Sequence, residues 1–534
     1  MNLTINDKNK LNSTFILPYS FHINSGALFE VDRDSKTGKI KNKALVSRRA
    51  PFISAAYRNV EVGTLLYDLR WYNDKYQKET SHLYVKASRI SRRKDLLDLS
   101  DKGLPVNELN ANTLIRYFDL FLTINEIKEL KAAERIGNIN GEIIHPNLNS
   151  DVVIIPRDEG ERDILRTFQV KGTAETWKNE VFNRLNKFPI ALFMISASFA
   201  SVVIKDLNVD PFVVELASKT SFGKSILLKV LASVWGNEEY IIGWYSTETA
   251  IERRAEFLNS YPLILDDTKK GDDKLFAKLV YMFTGGTSKG RGTIYGMQSQ
   301  KTWNNIMITN GELSLNDYTY EHGGVAARLL SITEQPLPKD SSLIAKLKTA
   351  ITNNHGAAGI EFVNFWNENK KKLIKQFDKF QEKYVEKAGE NTVIGRLAEY
   401  FASIHYTASI LKNHLGYEMD TEETFENLFD KIIESNNSID KSKQYFEDIL
   451  EVLDSNRDGI YYEGSTLDPK RVNAIYKDGQ LYIKPNFINQ ILKKQSRSVR
   501  DQWLNEGYTK KFIRTDNKSK VECDYRTENI NGIT

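Results

Sequence analysis

The chain is 534 residues long, 41% apolar and 27% charged, with 74 Lys and Arg against 70 Asp and Glu for a formal net charge of +4. That length exceeds what one hydrophobic core serves, so about two to four domains are expected. The near-balance of charge excludes reading nucleic-acid affinity from the total, and basic patches have to be sought locally. A single cysteine, Cys523, excludes disulfides and a cysteine-built zinc site. There is no run of about eighteen uncharged apolar residues to span a membrane, and Met1-Asn2-Leu3-Thr4 lacks a signal-peptide pattern, so a cytoplasmic protein of a reducing compartment, without membrane attachment, is expected.

From Phe15 to Val85 short alternating segments dominate, among them Gly26 to Val31, Lys43 to Ser47 and Gly63 to Trp71, broken by Asp, Ser and Gly turns. They predict an antiparallel β region. Helical periodicity follows from Arg93 to Glu134, then a Gly/Asn/Pro-rich passage to Gly172, and a long helix is predicted from Thr173 to Ile204. The first domain boundary is placed near Ile164.

The next apolar run, Phe212-Val213-Val214-Glu215-Leu216, leads into Ser218-Lys219-Thr220-Ser221-Phe222-Gly223-Lys224-Ser225. Ile226, Leu227, Leu228, Val230 and Leu231 then repeat with helical spacing up to Gly236. Strand, loop and helix in that order are the setting a phosphate-binding loop requires. Backbone N–H groups of such a loop converge on a β-phosphate at the helix N-terminus, Lys224 neutralises the β and γ oxygens, and the Ser225 hydroxyl ligates Mg²⁺. The pattern G-x-x-x-x-G-K-[ST] has glycine where Ser218 stands. Farther on, Tyr261-Pro262-Leu263-Ile264-Leu265-Asp266-Asp267 is a buried-strand run ending in two carboxylates. That arrangement holds the metal, here through Asp266, and polarises water, here through Asp267, in P-loop triphosphatases. The two halves together predict ATP or GTP binding with Mg²⁺.

After a helix predicted from Asp273 to Met282, the glycine-rich stretch Thr284 to Thr293 carries Lys289 and Arg291. It predicts a hairpin tip that can approach a polyanion closely. Trp303 to Glu312 is a further strand with a polar end. In triphosphatases whose sheet sets this strand between the phosphate-loop and carboxylate strands, a polar residue there positions the attacking water; the candidate is Asn310, with Thr309 as substitute. Arg328 stands alone in the apolar segment Gly323 to Leu330. It either pairs with a core carboxylate or reaches across a subunit boundary as an arginine finger, which implies a ring.

Beyond Pro338 the chain is helical and rich in Lys and Glu, and a run such as Lys370 to Lys375 reads as a solvated face. From Phe425 a separate module begins. An amphipathic helix is predicted from Asn486 to Leu504, with Ile488, Ile491 and Leu492 toward a core and Lys493, Lys494, Arg497 and Arg500 on the other side. A Gly507 turn and the strand-like Lys510 to Arg514 follow. A basic helix and then a basic hairpin is the layout of a winged helix, whose helix enters the major groove while the wing contacts phosphates.

These residues together resemble a known family. Ser221-x-Gly-Lys-Ser, the helix up to Gly236, Pro262 to Asp267, the Gly285 to Gly292 hairpin, Asn310-Gly-Glu312 and Gly323 to Arg328 are similar to the AAA+ self-loading replicative helicases of mobile elements, the replication initiators of staphylococcal pathogenicity islands and cassette chromosomes. Leu17-Pro18-Tyr19 with Gly26 resembles the opening of that family's N-terminal domain, and the likeness runs from Leu17 to Ser331. It implies a multidomain α/β protein: a β-rich mixed N-terminal domain over 1–164, a P-loop AAA+ ATPase domain over 165–338, a helical lid or linker over 339–424, and a winged-helix-like DNA-binding domain over 425–534. It further implies an ATP- and Mg²⁺-dependent DNA helicase and replication initiator. The protein would act as a ring, expected to be hexameric, that binds origin duplex and moves on single-stranded DNA gripped by Lys289 and Arg291, with host replication proteins as further partners. An alternative from another class is an origin-binding initiator that uses ATP only as an assembly switch. A protein-remodelling ATPase would carry an aromatic at the pore tip, and Thr287 to Arg291 has none.

Two departures bear on turnover. Family members usually have Asp-Glu where this chain has Asp266-Asp267, and a shorter carboxylate stands farther from the lytic water. Serine in place of glycine at 218 stiffens the loop.

Overall fold

The computed structural model describes residues 2–5, 13–72, 80–218, 223–268, 273–290, 292–293, 296–297, 300–315, 325–437, 441–462, 471–492, 496–510, 512–516 and 519–523. The chain divides into two compact units, Met1–Leu428 and Phe429–Thr534.

The first unit begins with β structure. Phe21–Asn24, Ala27–Arg33 and Ile40–Ser47 form an antiparallel meander. Its first turn, Ser25-Gly26, has both residues at positive φ, 49° and 78°, the type I′ geometry whose twist matches that of the strands. Pro51–Asn59, Leu65–Tyr72 and Thr80–Lys86 pair antiparallel, and Glu129–Ala133 and Val152–Ile154 extend that sheet in parallel. The helical pattern read from Arg93 to Glu134 therefore ends early. Its main helix is Ala111–Ile124, which seats Tyr117, Phe118 and Phe121 in a core with Phe15, Phe21 and Phe52. Glu129–Ala133 is a strand because a sheet edge buries Ala132 and Ala133 fully, and such burial outweighs the helix preference of its Glu, Leu, Lys and Ala.

Where one long helix is expected from Thr173 to Ile204, two helices form, Ala174–Glu180 and Pro189–Ala200. Pro189 has no N–H to give and is accommodated only in a first turn, so the helix restarts there. From Ile190 to Ala200 every residue of the second helix is buried, as a helix apolar all round must be.

At the centre of this unit lies a five-stranded sheet in which every pairing is parallel. Its strand order is Ile242–Gly243, Leu263–Asp266, Ile306–Gly311, Phe212–Ala217, Leu329–Ile332. Helices Lys224–Ser233, Glu248–Leu258 and Asp273–Thr284 intervene in the chain between these strands, which is why they read as continuous apolar runs. Four further helices, Ser341–Asn353, Ala357–Leu373, Phe377–Ala388 and Thr392–Leu415, follow. The last lays Tyr400 on Phe212, rings stacked 4.4 Å apart at 8°. No helix among the described residues is long and apolar enough to cross a membrane.

The second unit contains helix Lys441–Ser455, a small sheet of Ile460–Tyr462, Ala474–Lys477 and Gln480–Ile483, helices Pro485–Leu492 and Ser496–Asn505, and the antiparallel pair Phe512–Asp516 and Ser519–Cys523. The single helix expected from Asn486 to Leu504 is thus two. After Ile488, Ile491 and Leu492 the helical repeat of apolar residues in the sequence is interrupted by polar ones up to Val499. The Ser496 hydroxyl donates to Asn489 Oδ1, and packing resumes with Val499 and Trp503 against Ile449 and Leu453.

The Phe212–Tyr400 stack ties the strand Phe212–Ala217 to the helix Thr392–Leu415. Tyr400→Ala is expected to cost about 3 kcal/mol of stability and Tyr400→Phe less than about 1 kcal/mol. Urea midpoints of the two variants check this; an alanine variant as stable as the parent would remove the stack as a tie.

Candidate nucleotide and nucleic-acid sites

The carboxyl ends of the three inner strands meet at one place. Ser218 leaves the first of them with its N–H on the Gly311 carbonyl, 3.2 Å away. Gly223 stands at the N-cap of the following helix with φ +77°, a left-handed conformation glycine adopts without strain. Lys219, Thr220, Ser221 and Phe222 lie outside the described residues. Lys224 opens the helix, and its ammonium donates to the Ser218 carbonyl. Ser225, exposed at the first turn, sets its hydroxyl 3.4 Å from Asp266 Oδ1.

Asn310 joins the two carboxylate residues. Its Nδ2 donates to Asp266 Oδ1 at 2.9 Å, and its Oδ1 accepts the backbone N–H of Asp267 at 2.7 Å. Asp267 has φ +66°, a region that Asp enters far more readily than Glu does because its short side chain can bond locally. The shorter Asp at this position thus suits the backbone it occupies. Thr309, the substitute considered for Asn310, accepts from the ring N–H of Trp244 at 2.7 Å instead. Successive strand residues point to opposite faces, and of these two it is Asn310 that bonds to Asp266 and Asp267.

The group of residues suits a nucleotide with its metal. A hydroxyl and a carboxylate side by side at a helix N-terminus are an oxygen donor set for Mg²⁺. The Ser218 hydroxyl is buried and has no hydrogen-bond partner among the described residues. Lys224, Ser225, Asp266, Asp267 and Asn310 are brought together; Arg328 is not. It precedes Leu329, which pairs with Val213 near the start of the strand Phe212–Ala217, and its guanidinium lies 4.9 Å over the Tyr281 ring. At about 3.3 Å per residue, the strand carries the loop about 16 Å away, beyond the reach of one side chain.

One residue the sequence reading passed over is Glu215, fully buried within the strand Phe212–Ala217. Its carboxylate accepts from the Leu315 N–H and from the Ser314 and Ser331 hydroxyls, each at 3.0 Å. A charged residue inside an apolar strand run was the available signal.

The hairpin after helix Asp273–Thr284 lies along helix Glu248–Leu258. Lys289 pairs with Glu248 Oε1 at 2.6 Å, Lys278 with the other oxygen at 2.6 Å, and Lys301 with Glu256 at 2.5 Å. Arg157 binds Glu256 as well, at 2.8 Å. The bonds from Lys278 and Lys289 hold the Glu248 carboxyl below the usual range, and Glu248 in turn raises Lys289. A cavity of about 270 Å³ with Arg157, Glu252, Arg253 and Lys301 in its walls lies beside these pairs. Arg291 lies outside the described residues. In the second unit so do Lys493, Lys494 and the side chain of Arg497, while half-buried Arg500 donates to its own helix at the Ser496 carbonyl, 3.2 Å away.

Residues 21–303 match the model of a family described as a domain of unknown function, DUF927. The fold is similar to a solved structure titled "SCCmec type IV Cch - active helicase", with TM-score 0.70 and 18% identity over 93% of this chain and 95% of that one. A second, titled "The A form apo structure of NrS-1 C terminal region-CTR(305-718)", covers 71% of this chain and 91% of that one at 11% identity, and its TM-score of 0.24 is too low to indicate a shared fold. No curated protein matches the sequence.

Gly311 is where the asparagine strand and the carboxylate loop come closest: a Cβ there would stand 2.2 Å from Thr268 Oγ1. Gly311→Ala is expected to lose about 1–3 kcal/mol of stability, and Thr268→Ala in the same chain to restore about half. A double-mutant cycle on urea midpoints measures this, and strict additivity would deny the contact.

Proposed function

The chain belongs to the DUF927 family, a domain of unknown function, and we propose that it is an ATP-dependent DNA helicase and replication initiator of a mobile genetic element, built on an AAA+ P-loop domain and working as a ring. The observation that carries this reading is Asn310, standing on a strand between the phosphate-loop and carboxylate strands and bonded to both Asp266 and Asp267. Support for a helicase comes from the fold shared with a structure titled as an active helicase.

Bound ATP with Mg²⁺ supplies the phosphoanhydride bond whose cleavage drives the motor. Lys224 and the N–H groups opening the helix Lys224–Ser233 hold the β and γ oxygens, together with the loop Ser218 to Gly223. Ser225 and Asp266, side by side, would ligate the metal. Asp267 accepts the proton of the attacking water, and Asn310 holds the Asp266 carboxylate and the Asp267 backbone where those tasks need them. Arg328, too far from the loop of its own chain, serves the site of a neighbour as an arginine finger, so the working form is a ring, expected to be hexameric. Lys289 and Arg291 hold the backbone of single-stranded DNA.

In the second unit, two short helices followed by a hairpin support a winged-helix reading in which Ser496–Asn505, with Arg497 and Arg500, enters the groove of origin duplex. Lys493 and Lys494 precede that helix. Strand separation in a fuelled assay distinguishes this motor from an initiator using ATP only to assemble.

Lys224→Ala is expected to weaken binding of a non-hydrolysable ATP analogue at least about tenfold with the fold intact. Asp267→Asn keeps that affinity and slows hydrolysis about a hundredfold, since Asn also tolerates a positive φ. Unchanged hydrolysis in both would put the active site elsewhere. Arg328→Ala and Lys224→Ala proteins, each inactive alone, should regain part of the ATPase rate when mixed, because some interfaces then join an intact loop to an intact finger. Verified mixed rings with no recovery would count against a finger supplied in trans.

A further inference from the structure

Trp244 touches the carboxylate cluster from two sides. Its ring N–H donates to Thr309, the neighbour of Asn310, at 2.7 Å, and its backbone N–H donates to the Asp266 carbonyl at 3.4 Å. The ring is buried and meets Phe276 edge-on, centroids 4.9 Å apart. Four residues later Glu248, its side chain only 17% exposed, holds Lys278 and the hairpin residue Lys289. The segment between is braced: Ser246 Oγ donates to the Gly243 carbonyl at 2.9 Å, and Thr247 caps the helix by accepting from the Ala250 N–H at 3.2 Å. One short, internally bonded segment thus has one end on the catalytic strands and the other on the hairpin.

Glu248, Glu252 and Glu256 recur every fourth residue along one helical face, about 6 Å apart. Lys289 and Lys301 of the hairpin sit on the two ends of that row, much as lysines sit on successive phosphates of a strand.

We propose that Glu248 stands in for a DNA phosphate, holding Lys289 until single-stranded DNA takes its place, and that Trp244 is the positioning residue through which this exchange reaches Asn310 and Asp266. The inference rests on the reading of the carboxylate cluster as an ATPase site and of Lys289 as a DNA contact. Loss of Lys289 removes the only described tie between Glu248 and the hairpin, leaving Lys278 as its partner and the braced segment free to shift. Any shift of Trp244 moves the Thr309 hydroxyl and the Asp266 carbonyl together, and with them the bonds that Asn310 makes.

The test is a set of binding titrations. The affinity of a non-hydrolysable ATP analogue is measured with and without oligo(dT), and that of oligo(dT) with and without the analogue, because a true coupling must appear equally in both directions. In the unaltered protein each ligand is expected to change the other's affinity by about fivefold or more. Trp244→Phe keeps a ring against Phe276 but has no N–H; it should leave each separate affinity within about twofold and bring the coupling factor to about one. Glu248→Gln should tighten oligo(dT) binding without nucleotide by about tenfold, since the competing carboxylate charge is gone. Coupling that persists in Trp244→Phe, or oligo(dT) affinity unchanged in Glu248→Gln, overturns the proposal. An unaltered protein that binds both ligands independently overturns it while leaving the ATPase reading intact. One that binds no analogue overturns both.

Discussion

The central constraint is that the strand Ile306–Gly311 lies between two others and has to satisfy both. Along its length it does so through main-chain bonds and buried apolar side chains, all six residues being buried. At its carboxyl end apolar packing gives way to carboxylates, and a buried polar group without a partner is costly. Asn310 meets that need with an amide, which gives to Asp266 and receives from Asp267 at once. A carboxylate at this position could not donate, and a hydroxyl could not span both groups. Gly311 completes the fit, since only a residue without Cβ lets the strand pass so close to Thr268.

The placement of chemistry follows from this closeness. Lys224 and Ser225 come from the helix that follows the strand on one side, Asp266 and Asp267 from the end of the strand on the other, and the asparagine strand sets the separation between them. Glu215 fixes the opposite flank: three donors, from 314, 315 and 331, converge on it, so the loop after the asparagine strand and the edge strand Leu329–Ile332 are bound to the phosphate-loop strand by one buried carboxylate. Burying such a charge is tolerated only when its oxygens are satisfied, which makes this arrangement all-or-none and keeps the strand ends in register.

Much of this was legible in the sequence because parallel strands covered on both faces are written as largely apolar runs, Glu215 being the one charged interruption in the first of them, and the polar residues that follow mark where they end. Phe212 to Leu216, Leu263 to Leu265 and Ile306 to Ile308 each stop where the chemistry begins. Asn310 was named ahead of Thr309, but the reason for it was not legible, since it depends on which face of the strand meets Asp266 and Asp267, and that is decided by the neighbouring strand. Helix boundaries failed for two different local reasons. Pro189 divided a pattern that periodicity alone joined, and the polar Gln495 and Ser496 interrupted an apolar stripe whose two halves looked continuous. Glu129–Ala133 failed for a non-local reason: its composition favours helix, and only a sheet edge contributed by Pro51–Asn59 makes it a strand.

Least legible of all were the partners of the hairpin. Glycines with Lys289 and Arg291 announce an affinity for anions, but not that the nearest anion is a glutamate some forty residues earlier in the same chain. Helix Asp273–Thr284 brings these parts together. Its Phe276 packs on Trp244, its Lys278 holds Glu248, and its Tyr281 supports Arg328. A packed helix moves as a rigid body more readily than it bends, so the segment at the carboxylates, the glutamate that holds the hairpin, and Arg328 share one support. On the proposed reading, a strand of DNA arriving at the hairpin and a nucleotide arriving next door then act on the same helix, and neither needs a separate route to the carboxylates.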